Sequence, residues 1–269
     1  MILLDGNPIE FRHFPDKTQA FHLSTGIAKD ECMISWLYDG DEECMQLWYV
    51  VKHLKARLGR QLGIALYLPY VPNARMDRVK YDSDVFTLKY FAEFINSLGF
   101  SEVIIEDPHS NVAPALIDRV RVKRPIGNVY HAMQAIRGPR GDALVLCFPD
   151  HGAAKRYENM IENESVTCTK CRDWKTGKLG QFLINTPEAV KGKNVLIVDD
   201  ICSKGGTFMM AAKALREAGA KDVFLYVTHC ENNIYNGEIL SSDLITKVFT
   251  TGSIFRMDPE KDNHKITVL

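Results

Sequence analysis

Net charge is what this sequence has least of. Its 33 Lys and Arg stand against 34 Asp and Glu, which leaves −1 over 269 residues with histidine neutral. That excludes the strongly basic surface on which nucleic acid or an anionic membrane is held electrostatically. No apolar run is long enough to cross a bilayer. The start, Met1-Ile-Leu-Leu-Asp-Gly6, has no basic stretch ahead of an apolar one, so no signal peptide is expected there. Low-complexity tracts are absent. Paired cysteines are absent too: the seven are odd in number and scattered, at 32, 44, 147, 168, 171, 202 and 230. That pattern points to reduced thiols and a cytoplasmic protein. Cys168-Thr-Lys-Cys171 is a C-x-x-C without a second, well-spaced ligand pair, since His229-Cys230 fits poorly. Its surroundings, through to Gly180, read as a mobile basic loop rather than a redox or zinc motif.

What is present is concentrated in residues 195–207, Val-Leu-Ile-Val-Asp-Asp-Ile-Cys-Ser-Lys-Gly-Gly-Thr. Val195–Val198 reads as a buried parallel strand. Asp199 and Asp200 stand at its carboxyl end, where open α/β sheets bind ligands. Gly205-Gly206-Thr207 then turns into an amphipathic helix over Phe208–Ala218 with a glycine stop at Gly219. A glycine turn at a helix start offers free N–H groups and a positive dipole end to a phosphate. Paired carboxylates suit a vicinal diol, because each accepts a hydroxyl hydrogen bond. Together they suggest a sugar phosphate, most simply a ribose 5-phosphate moiety. The competing reading is an ordinary βα unit with acids at the strand end.

The rest of the chain reads as two similar halves. In the first, helix 41–56, strand 63–68, helix 85–98 and strand 103–106 follow one another. In the second, strand 143–148, a helix from Ala153 to about Asn163, strands 182–184 and 195–198, helix 208–218 and strand 222–228 do so, with a last strand at 265–269. Strands alternating with helices imply parallel sheets. The Gly-, Pro- and charge-rich link Arg137–Asp142 is the expected boundary, giving domains 1–137 and 138–269.

Four further segments carry a family resemblance. Residues 195–207 resemble the phosphoribosyl diphosphate loop of the type I phosphoribosyltransferase fold. Leu66–Arg78 resembles the PYxxYARQDR motif of ribose-phosphate diphosphokinases, Phe148–Arg156 their SPDxGGxKR motif, Asp107-Pro-His109 their DLH triplet and Phe14-Pro-Asp16 their FSD segment. The order agrees over nearly the whole chain, with a shorter amino terminus and no last helix. The resemblance implies an α/β fold of two similar type I phosphoribosyltransferase-like domains, with parallel sheets flanked by helices. It implies an enzyme that moves the β,γ-diphosphate of ATP onto the C1 hydroxyl of a ribose 5-phosphate-type acceptor, with magnesium, and releases AMP. It also implies a homo-oligomer, dimer or hexamer.

The same resemblance assigns roles. Lys170 and Arg172, in Lys170-Cys-Arg172, match the catalytic KRR loop, with His109 as a further catalytic residue. His109 and Asp150 lie at metal-associated positions. Phe14, Asp16, Arg75, Met76 and Arg78 match the ATP side, with Phe14 and Asp16 supplied by a neighbouring subunit. Asp199, Asp200, Ser203, Lys204, Gly205, Gly206 and Thr207 match the acceptor side. Departures fall at Thr18, Met76, Ala153, Ser203 and Lys204, where the family usually has Glu, Gln, Gly, Asp and Thr. Gaining a cation and losing a carboxylate at 203–204 suits a longer, more anionic acceptor. The chain thus resembles shortened phage relatives that place a diphosphate on ADP-ribose in rebuilding NAD, and ADP-ribose is slightly favoured over ribose 5-phosphate. Two other readings remain open: a phosphoribosyltransferase consuming phosphoribosyl diphosphate, disfavoured by the ATP-side motifs, and a non-catalytic regulatory relative, disfavoured by Lys170, Arg172, His109 and Asp150.

Overall fold

The computed structural model describes residues 1–23, 31–58, 63–172, 179–261 and 264–269. It divides into two compact units, Met1–Arg124 and Pro125–Leu269. In the first, elements run β1 (Ile2–Leu4), β2 (Asn7–Pro8), β3 (Phe11–His13), β4 (Gln19–Phe21), β5 (Glu31–Trp36), α1 (Glu43–Leu58), β6 (Gly63–Leu68), α2 (Thr87–Ser97), β7 (Glu102–Glu106), α3 (Val112–Leu116) and β8 (Val120–Lys123). Six strands form a sheet in the order β2-β1-β5-β6-β7-β8. Neighbours from β5 to β8 are parallel. β3 and β4 make a separate hairpin. Ile34, Trp36, Leu47, Val50, Ile64, Leu66, Leu88, Ile95 and Ile105 form the core between sheet and helices.

The second unit runs α4 (Ile126–Arg137), β9 (Leu144–Phe148), α5 (His151–Tyr157), β10 (Ser165–Arg172), β11 (Leu179–Ile184), β12 (Asn194–Cys202), α6 (Gly206–Glu217), β13 (Val223–Cys230), β14 (Lys247–Thr250) and β15 (Ile266–Val268), with short 3-10 turns at Pro187–Val190, Asn232–Asn236 and Pro259–Lys261. Its sheet order is β11-β10-β9-β12-β13-β14-β15. Among the described residues only the β10–β11 pair is antiparallel. Two buried clusters cover the two faces of the sheet. One is built on Val195, Ile197, Ala211, Leu215 and Leu225, the other on Leu146, Phe148, Leu196, Val198 and Tyr226. Residues buried on both faces are what a central parallel strand requires.

Four sequence-based expectations shift. The boundary moves from 137 to 124, because Val129, Ala132, Met133 and Ile136 of α4 pack with Leu144, Leu146 and Phe148 of the second unit. Arg137–Asp142 is a turn within that unit, with Gly138 and Gly141 at φ +56° and +65°. The helix expected to reach 163 ends at Tyr157. Asn163 instead lends its side-chain amide to the Leu144 and Glu164 carbonyls, 2.8 and 2.9 Å away. The expected basic loop at 167–180 is, where described, an antiparallel hairpin, with Lys170 paired to Phe182 in register. Finally, the acids at 199–200 lie inside β12, which continues because Ile201 and Cys202 pair with His229 and Cys230.

The boundary is testable by expression. A fragment of residues 125–269 should melt cooperatively. One of residues 138–269 loses the four buried α4 side chains, at about 2–5 kcal/mol for each large one, and should show no cooperative transition by calorimetry. Equal melting of the two fragments would restore the boundary at 137.

Candidate active site

β12 is the middle strand of its sheet, between β9 and β13. Its carboxyl end delivers Asp199 and Asp200, whose side chains are 14% and 3% exposed. Two adjacent acids in so little water repel one another and are tolerated only with a counter-charge. Arg156 supplies it: Nη2 lies 3.2 Å from Asp199 Oδ1 and 2.9 Å from Asp200 Oδ1. Burial first, and Asp200 second, push the Asp199 carboxyl well above the usual carboxylate range, against the pull of Arg156.

Arg156 is aimed by α5, and α5 is aimed by Asp150. That carboxylate caps the helix, accepting the N–H groups of Gly152 and Ala153 at 2.9 and 3.1 Å. A Cβ at Gly152 would stand 3.1 Å from the same oxygen, tighter than nearly all real contacts, so glycine lets the cap close.

The turn after β12 is Ser203-Lys204-Gly205. Gly205 is at φ +82° and caps α6. A Cβ there would also strike Ile239 Cδ1 at 2.1 Å. At Gly206 the same construction meets nothing within 4 Å, so the mouth of α6 is open. The first N–H groups of a helix have no intrahelical partner and are open to an anion. Ser203 Oγ accepts a 2.9 Å hydrogen bond from Asn233 Nδ2. Lys204 is exposed and makes no ion pair among the described residues.

The first unit repeats the layout. His109 follows β7, and Arg75, Met76 and Arg78 follow the neighbouring β6. Glu106, the last residue of β7, is buried; it accepts from Tyr67 Oη at 2.7 Å and from Lys123 Nζ at 2.5 Å. Asp107 is buried at φ +38°, a strained setting for a residue with a side chain. His109 is half-buried. Arg78 Nε pairs with buried Asp77 at 3.1 Å, while Arg75 and Met76 are exposed. Phe14 and Asp16 sit at the tip of the β3–β4 hairpin, with Phe14 exposed. Thr18 donates its hydroxyl and its N–H to Asp16 Oδ1, at 2.6 and 2.9 Å, and holds that carboxyl below its ordinary value. Lys170 and Arg172 are described as β10 backbone only, and residues 173–178 lie outside the described residues. Cys168, read as loop, is buried with its sulfur 3.5 Å from that of Cys147.

Among the described residues no three His, Cys, Asp or Glu side chains converge to hold a metal. Magnesium keeps much of its water and is commonly bound through one or two carboxylates plus substrate phosphates. The donors present, with Asp150 as oxygen ligand, fit an ion carried in on a polyphosphate. A groove of about 480 Å³ between β11 and α6, walled by Phe182, Met210, Ala214 and Ala218, includes none of these residues. Sequence reasoning left Arg156 and Asn233 out of the site. Arg156 closes the Phe148–Arg156 motif, so its signal was present; nothing in the sequence marks Asn233.

Comparison with known proteins places the chain among relatives. The family described as phosphoribosyl transferase domain matches residues 154–254. A ribose-phosphate pyrophosphokinase of Thermococcus kodakarensis is 30% identical over 227 residues, covering 82% of this chain and 77% of the relative. One from Sulfolobus acidocaldarius is 26% identical over 97% of this chain and 88% of its own. The crystal structure of phosphoribosylpyrophosphate synthetase from Mycobacterium smegmatis superposes with a TM-score of 0.74 at 20% identity, over 97% of this chain and 85% of that one. It has the same fold.

The acid pair gives a pH-dependent expectation. Because the folded Asp199 pKa is raised, the folded state holds more protons than the unfolded one between the two values, and stability falls as pH rises through that window. Asp199→Asn removes this cost and leaves Arg156 and Asp200 matched. The substrate-free variant should melt higher than the parent at pH 7.5, by roughly 2–4 °C per kcal/mol relieved. The gain should shrink toward about pH 4, where the unfolded carboxyl also protonates. Arg156→Ala should do the opposite, losing up to about 3–5 kcal/mol at neutral pH. Scanning calorimetry across pH decides; a constant offset for Asp199→Asn would mean that charge is not its cause.

Proposed function

The chain belongs to the ribose-phosphate pyrophosphokinase family, and we propose that it transfers the β,γ-diphosphate of ATP, as a unit, to the C1 hydroxyl of a ribose 5-phosphate-type acceptor. The observation that carries this reading is the buried Asp199–Asp200 pair beside the open start of α6. The acids accept from the two ring hydroxyls, with Arg156 as their shared counter-charge. The N–H groups of Gly206 and Thr207 take the 5-phosphate, with the Thr207 hydroxyl beside them. Attack by the C1 oxygen on the β phosphorus forms one O–P bond and breaks the bond to the bridging oxygen, which leaves with AMP; the hydroxyl proton is released.

Such transfers depend on alignment and on neutralising the charge of the moving group. Arg75 and Arg78 serve the ATP phosphates, and Lys170 and Arg172 close over the diphosphate. His109 stands at the reacting end. Phe14, Asp16 and Met76 serve the adenine, the first two from a neighbouring protomer of a homo-oligomer, dimer or hexamer. Bound magnesium would lower the charge of the diphosphate, and the family resemblance assigns His109 and Asp150 to holding it.

A second acceptor, ADP-ribose, is favoured by one observation. Lys204 is an exposed cation with no ion-pair partner among the described residues, one residue before the glycine turn into α6, and it would pair with the second phosphate of a longer acceptor. Ser203 does not share in this, because its hydroxyl is taken by Asn233.

Two measurements test these assignments. Supplied with ATP, magnesium and equal concentrations of the two acceptors, the enzyme should release AMP and give diphosphorylated products by mass spectrometry. Lys204→Thr should shift the ratio of catalytic efficiencies several-fold toward ribose 5-phosphate, the scale of about one charge-assisted hydrogen bond. Exclusive use of ribose 5-phosphate by the parent ends the ADP-ribose reading, and no AMP with either acceptor ends the proposal itself. Separately, Lys170→Ala should lower turnover by orders of magnitude while acceptor affinity changes little. Turnover within a few-fold of the parent would remove Lys170 from catalysis.

A further inference from the structure

A loop that binds phosphate through backbone N–H groups works only if those groups are aimed before the ligand arrives. Ser203-Lys204-Gly205 has no regular partner strand of its own to aim it. Its support comes from the segment after β13, residues 231–239. Asn233 Nδ2 donates to Ser203 Oγ at 2.9 Å, and Asn233 Oδ1 accepts from Asn236 Nδ2 at 3.1 Å. Gly237 lies directly against the next loop residue: a Cβ there would stand 2.0 Å from the Lys204 carbonyl oxygen and 2.9 Å from its carbon. Ile239, fully buried, covers Gly205 so closely that a Cβ would meet it at 2.1 Å. Three consecutive loop residues thus rest on three residues of one segment, and the 3-10 turn Asn232–Asn236 fixes their spacing.

We propose that residues 233–239 are the back wall of the acceptor-phosphate loop, and that Asn233 is a positioning residue setting acceptor affinity and selectivity through Ser203. This rests on the reading that residues 203–207 take the acceptor phosphate. Asn233 bonds to the loop through Ser203, so on this proposal it acts on binding of the acceptor and leaves the ATP side alone. Because Ser203 and Asn233 work as one unit, removing either forfeits the same contribution.

The test has two arms. In kinetics, Asn233→Ala should raise the acceptor KM about three- to tenfold, as one hydrogen bond warrants. Both kcat and the KM for ATP should stay within about twofold. Ser203→Ala should do the same, and the double variant should be no worse than either single one. Gly237→Ala must push Lys204 outward and should cost more acceptor affinity than Asn233→Ala. An unchanged acceptor KM in Asn233→Ala, additive single effects, or an equal rise in the KM for ATP overturns the proposal. In the second arm no substrate is present. Amide hydrogen exchange in Asn233→Ala should accelerate at residues 203–207 and not across β12 or α6. Unchanged exchange there overturns the proposal. If the parent uses neither acceptor, the functional reading fails by itself, and the exchange arm still decides whether Asn233 holds this loop.

Discussion

Two buried carboxylates sharing one guanidinium set the terms for the second unit. β12 is flanked by strands on both sides and covered on both faces, so acids at its end find little water. Left alone, Asp199 and Asp200 would protonate or unfold their surroundings. Arg156 makes the pair tenable, and the Phe148–Arg156 segment can be understood as the device that delivers it. Pro149 and Asp150 end β9, Asp150 caps α5, Gly152 leaves room for the cap, and one turn later Arg156 reaches back to both acids. The arrangement leaves an excess negative charge in a dry place. Stability is given up there, and on the proposed reading it is given up for a pair of acceptors for hydroxyl groups.

The first unit meets the same demand with different residues. Its β7 also ends in buried acids, Glu106 and Asp107, and Tyr67 and Lys123 take the place that Arg156 has in the second. The strained Asp107 backbone turns the chain so that His109 leaves the strand end half-exposed. The exposed Phe14 ring belongs to neither sheet. It stands on a two-stranded hairpin whose tip is held by Asp16 and Thr18. Thr18 stands where Glu is expected, and its hydroxyl gives Asp16 a local partner.

Elements with an uninterrupted period were legible in the sequence. Gly63–Leu68 coincides with β6, and α6 lies within two residues of its expected bounds. The misreadings share a cause: composition was taken for conformation where only tertiary pairing decides. Thr167, Thr169 and Lys170 look like loop residues, yet they lie on β10, where Val166 and Cys168 fill the alternate buried positions. Arg137–Asp142 has the composition of a linker, and only the partners of Val129 and Met133 show that α4 belongs beyond it. Within the site, residue types at a strand end announced Asp199, Asp200 and Gly205. The partnerships with Arg156 and Asn233 span 43 and 30 residues of chain, and no local pattern encodes them.

That distinction changes how the unusual Ser203-Lys204 pair is understood. Taken from sequence, the two substitutions look like one change, a carboxylate lost and a cation gained. In the structure they face different ways. Ser203 turns to Asn233 and belongs to the scaffold of the loop, whereas Lys204 is exposed at its mouth while its carbonyl rests on Gly237. An aspartate at 203 could still accept from Asn233, but its longer side chain and charge would sit against the backbone that aims the phosphate N–H groups. The serine therefore alters the shape and the field of the loop, and the lysine alters what it attracts. On the proposed function, acceptor choice then rests on two separable terms, how tightly the back wall holds the loop and how far one mobile cation reaches.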